Sequence, residues 1–333
     1  MTFRDREKER YKALKPLLFS ENAQRDGTYR GRPRSFCLAD DCSSENLYSG
    51  IRASAIQYFA DRRISWHDGL DRRRVPSNHL CCSQSCCVNF LYPMAGDPAL
   101  VEAVLGVFFP ELAKAVPVYE DGLLPSGSAP YMAFEWIGSR DYLGEQKRKG
   151  GRRTRGANFT SAGFAFRFIR NDGKVQLVLG EWKYTESYGS SDLGIPVRKA
   201  NYQRAFDRAD GVFGPQRRDL YDALFFDPFY QLMRLQLLAQ EMETGKLGRE
   251  MDADVVSVLH ICPAANGEFR EHVTSPQLKA MLPGKGTLDI WKDLVPEDRF
   301  LSISVEDLLE AIVRDEGSID RDWVRCLGDR YRW

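Results

Sequence analysis

The sequence has little with which to cross a bilayer, hold a metal through sulfur or present one uniform charge. No apolar run approaches the roughly 20 residues that a spanning helix needs, and the opening Met1-Thr-Phe-Arg-Asp-Arg-Glu-Lys-Glu-Arg-Tyr-Lys carries no secretion-type apolar stretch. A cytoplasmic protein with no membrane partner is expected. Lys plus Arg and Asp plus Glu number 47 each, which excludes a basic coat over the whole surface but not a local patch. No Cys-x-x-Cys pair occurs among the eight cysteines. Cys37, Cys42, Cys82 and Cys86 could be assembled into a zinc or iron–sulfur site, but Cys82 and Cys86 lie four apart on an apolar helical pattern. They read better as small buried hydrophobes. Histidine is scarce, at four residues, and no sequence pattern pairs one with a nucleophile. No phosphate-binding glycine loop, sustained heptad or internal repeat is present.

What is there suffices for a substantial core. The 333 residues are 43% hydrophobic and 12% aromatic, a length that suits about two domains or one elaborated domain. Residues 1–36 read as a helix followed by a mobile arm. Leu47, Ile51, Ala55 and Phe59 recur at helical spacing, and His79 to Tyr92 reads as a buried helix ending before Pro93. Asp97-Pro98 is an N-cap with proline at the first helical position. The period then changes. Tyr131 to Ile137 has strand composition, and two further strands, about 160–170 and 174–184, flank Asn171-Asp172-Gly173. Tyr221 to Met242 reads as a long helix, 254–261 as a strand and Val305–Val313 as a helix. The mixture predicts an α/β core on a mixed sheet.

The most informative stretch is Val175-Gln-Leu-Val-Leu-Gly-Glu-Trp-Lys-Tyr-Thr-Glu186. Glu181 and Lys183 project from one face of a strand, roughly 6.5–7 Å apart. Burying an acid or an amine alone is costly, so such a pair after an apolar strand is either an ion pair or a working site. A carboxylate there can hold a divalent cation, and the ammonium can orient a water or stabilise charge on a phosphate. A three-residue turn at Asn171-Asp-Gly173 pairs Arg170 with Lys174 and sets Gly163 opposite Glu181. A two-residue turn would bring Phe164 there instead.

Hairpin strands ending in Glu-x-Lys and flanked by helices resemble the PD-(D/E)XK nuclease superfamily, with its restriction-endonuclease-like fold. The chain is similar to a little-characterised bacterial family within it. That resemblance is carried by Glu45-Asn-Leu-Tyr-Ser-Gly-Ile-Arg, Ile64-Ser-Trp-His67, Ser83-Gln-Ser-Cys-Cys-Val-Asn-Phe-Leu-Tyr-Pro93, Phe134-Glu-Trp, Glu181-Trp-Lys-Tyr-Thr-Glu186 and Asp227-Pro-Phe-Tyr-Gln-Leu-Met-Arg234. It implies a DNA endonuclease using magnesium, with manganese as an alternative. Glu181 would be the metal-binding glutamate, Lys183 the residue that positions the attacking water, and Glu135 an additional acid. Glu102 is a weaker acidic candidate. Where the family's metal-binding aspartate aligns, the chain has Gly163. Asp141, Glu145 or Glu135 are the acids available to replace it; otherwise the protein binds nucleic acid without cutting. The expected organisation is an N-terminal helical region over 1–95 packed on a nuclease core over 96–265, then a mainly helical extension over 266–333. A homodimer is left open.

Two further groups suit DNA. The loop carrying Lys147, Arg148, Lys149, Arg152, Arg153 and Arg155 could neutralise phosphates, or be a solvated loop. On the long helix, Gln231 and Arg234 could contact a phosphate or a base edge, or tie the helix to the sheet.

Overall fold

A computed structural model describes residues 1–120, 122–146, 153–155, 159–314 and 319–333. The centre of the fold is a hairpin of aromatic and branched residues. Ala162–Arg170 places Phe164, Phe166 and Phe168 on one face, while Ala165, with Leu177 and Leu179 of Val175–Trp182, faces the other way. That period of two lets a single sheet serve two apolar layers.

The strands in chain order are β1 (Gly27–Tyr29), β2 (Arg32–Arg34), β3 (Leu112–Val116), β4 (Met132–Trp136), β5 (Ala162–Arg170), β6 (Val175–Trp182), β7 (Val255–Cys262) and β8 (Phe300–Ser304). The first two form their own antiparallel pair. The other six make one mixed sheet in which β5 pairs antiparallel with β3, β4 and β6, while β6, β7 and β8 run parallel. The α/β core on a mixed sheet is therefore as the sequence predicts. β3 and β4 share one edge of β5: β3 covers its end near Arg170, and β4 covers its start near Ala162.

Helices cover both faces. On one side lie Arg52–Asp61, Ser83–Leu91, Pro98–Leu105, Val305–Arg314 and Arg321–Tyr331, contributing Phe59, Phe90, Val101, Leu308 and Trp323 to a shared core. On the other, Pro196–Phe206 and Phe229–Thr244 bring Tyr202, Met233 and Leu237 against Leu177 and Leu179. Residues before 96 and after 265 thus contribute to the same cores as the hairpin, and β8 completes the sheet from beyond residue 265.

Several local expectations need correction. The segment after the first helix, Phe3–Leu18, is no free arm: Ala23 is buried, β1 pairs with β2, and the Lys15 ammonium donates to the Cys37 carbonyl at 2.8 Å. The long helix begins at Phe229 rather than at 221, because Asp222–Leu224 is a separate short turn and Pro228 caps the start. The helix around Cys86 begins at Ser83, and Asp97 accepts from the Ala99 and Leu100 amides as an N-cap should.

Candidate active site

The hairpin turn fixes the register on which the site depends. Gly173 sits at φ 83°, its amide donates to the Arg170 carbonyl at 2.9 Å, and Arg170 N donates to Lys174 O at 2.8 Å. The pairing continues to Phe164 with Gly180, so the next step sets Gly163 opposite Glu181, as a three-residue turn requires. On the other edge of β5, Phe134 pairs with Phe164 and Trp136 with Ala162, which leaves Glu135 beside Gly163. Three neighbouring strands therefore contribute Glu135, Gly163 and Glu181 to one row.

That row opens into a pocket of about 510 Å³, lined also by Lys183, Gln231, Arg234 and Asp227. The Lys183 ammonium is 2.5 Å from Glu181 Oε1 and donates to Gln231 Oε1 at 2.6 Å. Gln231 in turn donates to the Tyr188 hydroxyl at 3.2 Å. Burial works against the ammonium, but the Glu181 charge, with Tyr188 and Glu186 behind it, holds its pKa well above the usual lysine value. Lys183 is thus a cation in place, with a third N–H left over.

Glu135 adopts φ 50°, a left-handed conformation uncommon for a residue with a side chain. Its carboxylate accepts from Gln84 Nε2 at 2.7 Å and from Ser161 Oγ at 3.2 Å. Burial raises its pKa; the Gln84 bond draws it back, and the nearby Glu181 charge raises it further. Gly163 itself leaves space: a Cβ there would lie 3.6 Å from Gly180 O and 3.7 Å from Trp182 N, ordinary contact distances. His260 is paired with Glu181 across the parallel β6–β7 edge, and burial lowers its pKa to about 3, which keeps it neutral.

Two acids in the pocket carried no role in the sequence reading, although both lie in the quoted motifs. Asp227 is half-buried, and its Oδ1 has no hydrogen-bond partner; burial raises its pKa, partly offset by Gln231 and the Lys183 charge. Glu186 accepts from Ser83 Oγ and, at 2.6 Å, from the Tyr184 amide. Glu186 follows β6 within the same motif, whereas the place of Asp227 depends on how the chain returns to β6, which no local spacing reveals.

Other candidates are committed elsewhere. Glu102 accepts from the Ala115 amide at 2.8 Å, and Asp141 accepts from the Glu145 and Gln146 amides. Glu145 receives Thr160, Tyr202 and Arg234, the last at 3.3 Å. Arg234 lines the pocket, but it also donates to Thr160 Oγ1 at 3.0 Å, so it fastens the helix to the start of β5. Arg153 donates to the Gly138 carbonyl at 3.0 Å, and Arg155 is 2.5 Å from Glu120 Oε1. Lys147, Arg148, Lys149 and Arg152 lie outside the described residues. The cysteines are all free, and Cys82 and Cys86 are buried with pKa values raised by burial.

A mixed sheet flanked by helices, with a carboxylate–lysine pair at the end of its central hairpin, is a restriction-endonuclease-like α/β core. A family model described as "Restriction Endonuclease associating with ARP" matches residues 10–332, and the chain belongs to that family. Neither the curated proteins nor the solved structures provide a match. Among the described residues no helix is long and apolar enough to cross a membrane.

Proposed function

We propose that the protein is a metal-dependent endonuclease of the PD-(D/E)XK type, hydrolysing phosphodiester bonds in DNA. The observation that carries this reading is the convergence of Glu135, Glu181 and Lys183 on one pocket in a chain of a restriction-endonuclease-like family. Among the described residues no group of three or more His, Cys, Asp or Glu is disposed to hold a metal ion. Magnesium does not need one: it is commonly held by one or two carboxylates, with waters and substrate phosphate oxygens completing the shell. Glu135 and Glu181 supply two carboxylates, and nothing lies closer than 3.6 Å to where a Cβ at position 163 would stand. The residues therefore fit magnesium, or manganese, held by Glu135 and Glu181. A divalent ion would supply Lewis acidity to the scissile phosphate and a lower pKa to water.

The protein's own groups do the rest. Lys183, fixed between Glu181 and Gln231, offers its remaining N–H to an attacking water or a phosphate oxygen. Its permanent charge stabilises the anion that builds up on the phosphate. Gln231, itself bonded to the Tyr188 hydroxyl, holds the ammonium in position.

Gly163 favours a second reading, a nucleic-acid-binding protein on the same scaffold that no longer cuts. Its carboxylate set lacks one member, and a hard cation relies on anionic oxygens. The two readings separate on supercoiled and linear DNA incubated with magnesium or manganese. The nuclease reading predicts cutting that stops with a chelator and in Glu181→Gln. Salt-sensitive retention of DNA without cutting under either metal would favour the second reading.

A further inference from the structure

The active-site pocket has a neighbour beyond Glu186. A second pocket, of about 350 Å³, shares His67, Ser83 and Glu186 with it, so the two adjoin across those residues. The balance of charge differs between them. The first pocket sets its acids among as many bases, Lys183 and Arg234 included, whereas the second carries Arg4, Lys8, Arg30 and Arg34 against only two acids, Asp68 and Glu186.

Most of that basic charge is not spent inside the protein. Arg4 gives its Nε to the Thr185 carbonyl at 2.9 Å, and Lys8 is 3.7 Å from the exposed Asp5. Among the described residues neither Arg30 nor Arg34 has an acid partner: Arg30 reaches only the neighbouring Tyr29 hydroxyl, and Arg34 Nε is buried without a hydrogen-bond partner. The two guanidiniums lie against aromatic rings, Arg30 over Tyr29 at 5.3 Å and Arg34 over Phe36 at 6.0 Å. A cation–π contact of that kind favours a guanidinium near the ring while leaving N–H groups able to reach a phosphate. An unpaired buried donor is costly, and a planar fork of donors matches phosphate oxygens.

The turn between β1 and β2 is built to present this charge. Arg30 takes φ 51° and Gly31 φ 73°, a tight left-handed reversal that projects a charged tip, while the β1–β2 ladder keeps Arg32 and Arg34 on the return strand. The segment is anchored at its base, since Asn78 Nδ2 donates to the Thr28 and Leu38 carbonyls and Tyr29 donates to Asp68 at 3.0 Å. Backbone in the left-handed region costs on the order of 1 kcal/mol or more and persists where something repays it.

We propose that the Arg4–Lys8–Arg30–Arg34 pocket is a phosphate-gripping subsite for the DNA strand that enters the active-site pocket. It rests on the reading of DNA as the substrate. The subsite binds backbone phosphates and reads no base, so it fixes where the strand lies relative to Lys183 while leaving sequence preference to other contacts.

The test is fluorescence anisotropy of a labelled duplex with wild type, an Arg30→Gln/Arg34→Gln double variant and Lys246→Gln, a change at an exposed lysine away from both pockets. Thermal melts establish that each protein is folded. The double variant is expected to bind about tenfold more weakly or worse at moderate salt, with the slope of log affinity against log salt reduced by about two. Lys246→Gln is expected to match wild type. Double-variant affinity and slope equal to wild type would overturn the subsite while leaving the nuclease reading standing. Wild type that binds and loses binding in the double variant, yet never cuts, would support the subsite and sink the nuclease reading. Wild type that fails to retain DNA at low salt would end both.

Discussion

Glu135 and Glu181 stand in one row of the sheet with Gly163 between them, so their side chains face the same pocket across a position without a side chain. Burial above all, with the Glu181 charge adding to it, disfavours the ionised form of Glu135. Like charges held together in a shielded site are unfavourable until a cation arrives.

Glu135→Gln should therefore stabilise the metal-free protein. Its folded pKa is raised above the unfolded value, so any stability tied to its proton is complete at low pH and is lost as pH rises through the folded pKa. The gain from the substitution is expected to be on the order of 1 kcal/mol at pH 7. It should disappear below about pH 4, where both states are protonated. Thermal melts of the two proteins from pH 4 to 8 read this directly. The same variant should lose magnesium-dependent cleavage.

Gly163→Asp should fold. The new Cβ meets nothing closer than 3.6 Å, and Gly163 is not among the glycines with positive φ. The added carboxylate joins two others, so the metal-free variant should melt below wild type and regain more stability on adding magnesium. At a concentration 100 times the dissociation constant, binding adds about 2.7 kcal/mol. Melts with and without magnesium measure the difference, and an equal response from both proteins would contradict the placement of position 163 at the cation site.

Gln231 accepts from the Lys183 ammonium at 2.6 Å, so under the proposed mechanism its effect on cleavage passes through Lys183. Gln231→Ala removes one of the two groups holding the ammonium, and a misplacement of about 1 Å can cost up to about 100-fold in rate. Single-turnover cleavage should fall by that order while DNA affinity stays close to wild type. A loss confined to affinity would instead make Gln231 a DNA contact.

Arg155 belongs to a buried cluster. Glu120 receives Arg62 at 2.7 Å, Arg155 at 2.5 Å and the Tyr58 hydroxyl at 2.9 Å, and its side chain is only 1% exposed. Glu120→Ala leaves two guanidiniums without their acid, a change that costs about 3–5 kcal/mol. Arg155→Ala is expected to lower the melting temperature without altering the salt dependence of DNA binding. Unchanged stability with weakened binding would return Arg155 to the DNA interface.

The core of the site was legible because it depends on local rules. Alternation put Glu181 and Lys183 on one face, and Asn171-Asp-Gly173 set the turn length that aligns Gly163 with Glu181. Glu135 was legible as a candidate acid, but its place beside Gly163 follows from β4 pairing with β5, and no local pattern announces its left-handed backbone. Arginines were the least legible. A run of positive charge in sequence does not say where its acids lie, and Arg153, Arg155 and Arg234 all turn inward to carbonyls or carboxylates. Asp227 needed the chain to return across the sheet, so its orphan oxygen could not be anticipated from spacing. The cations of the adjoining pocket come from the N-terminal segment, whose charges read as those of a mobile arm until β1 and β2 are seen to pair.

The most direct test of the account is cleavage of supercoiled DNA in magnesium by wild type and Lys183→Ala. The account predicts nicked and linear products from wild type and none from the variant, with both proteins folded and both retaining DNA at low salt. A Lys183→Ala protein that cuts as fast as wild type would contradict it.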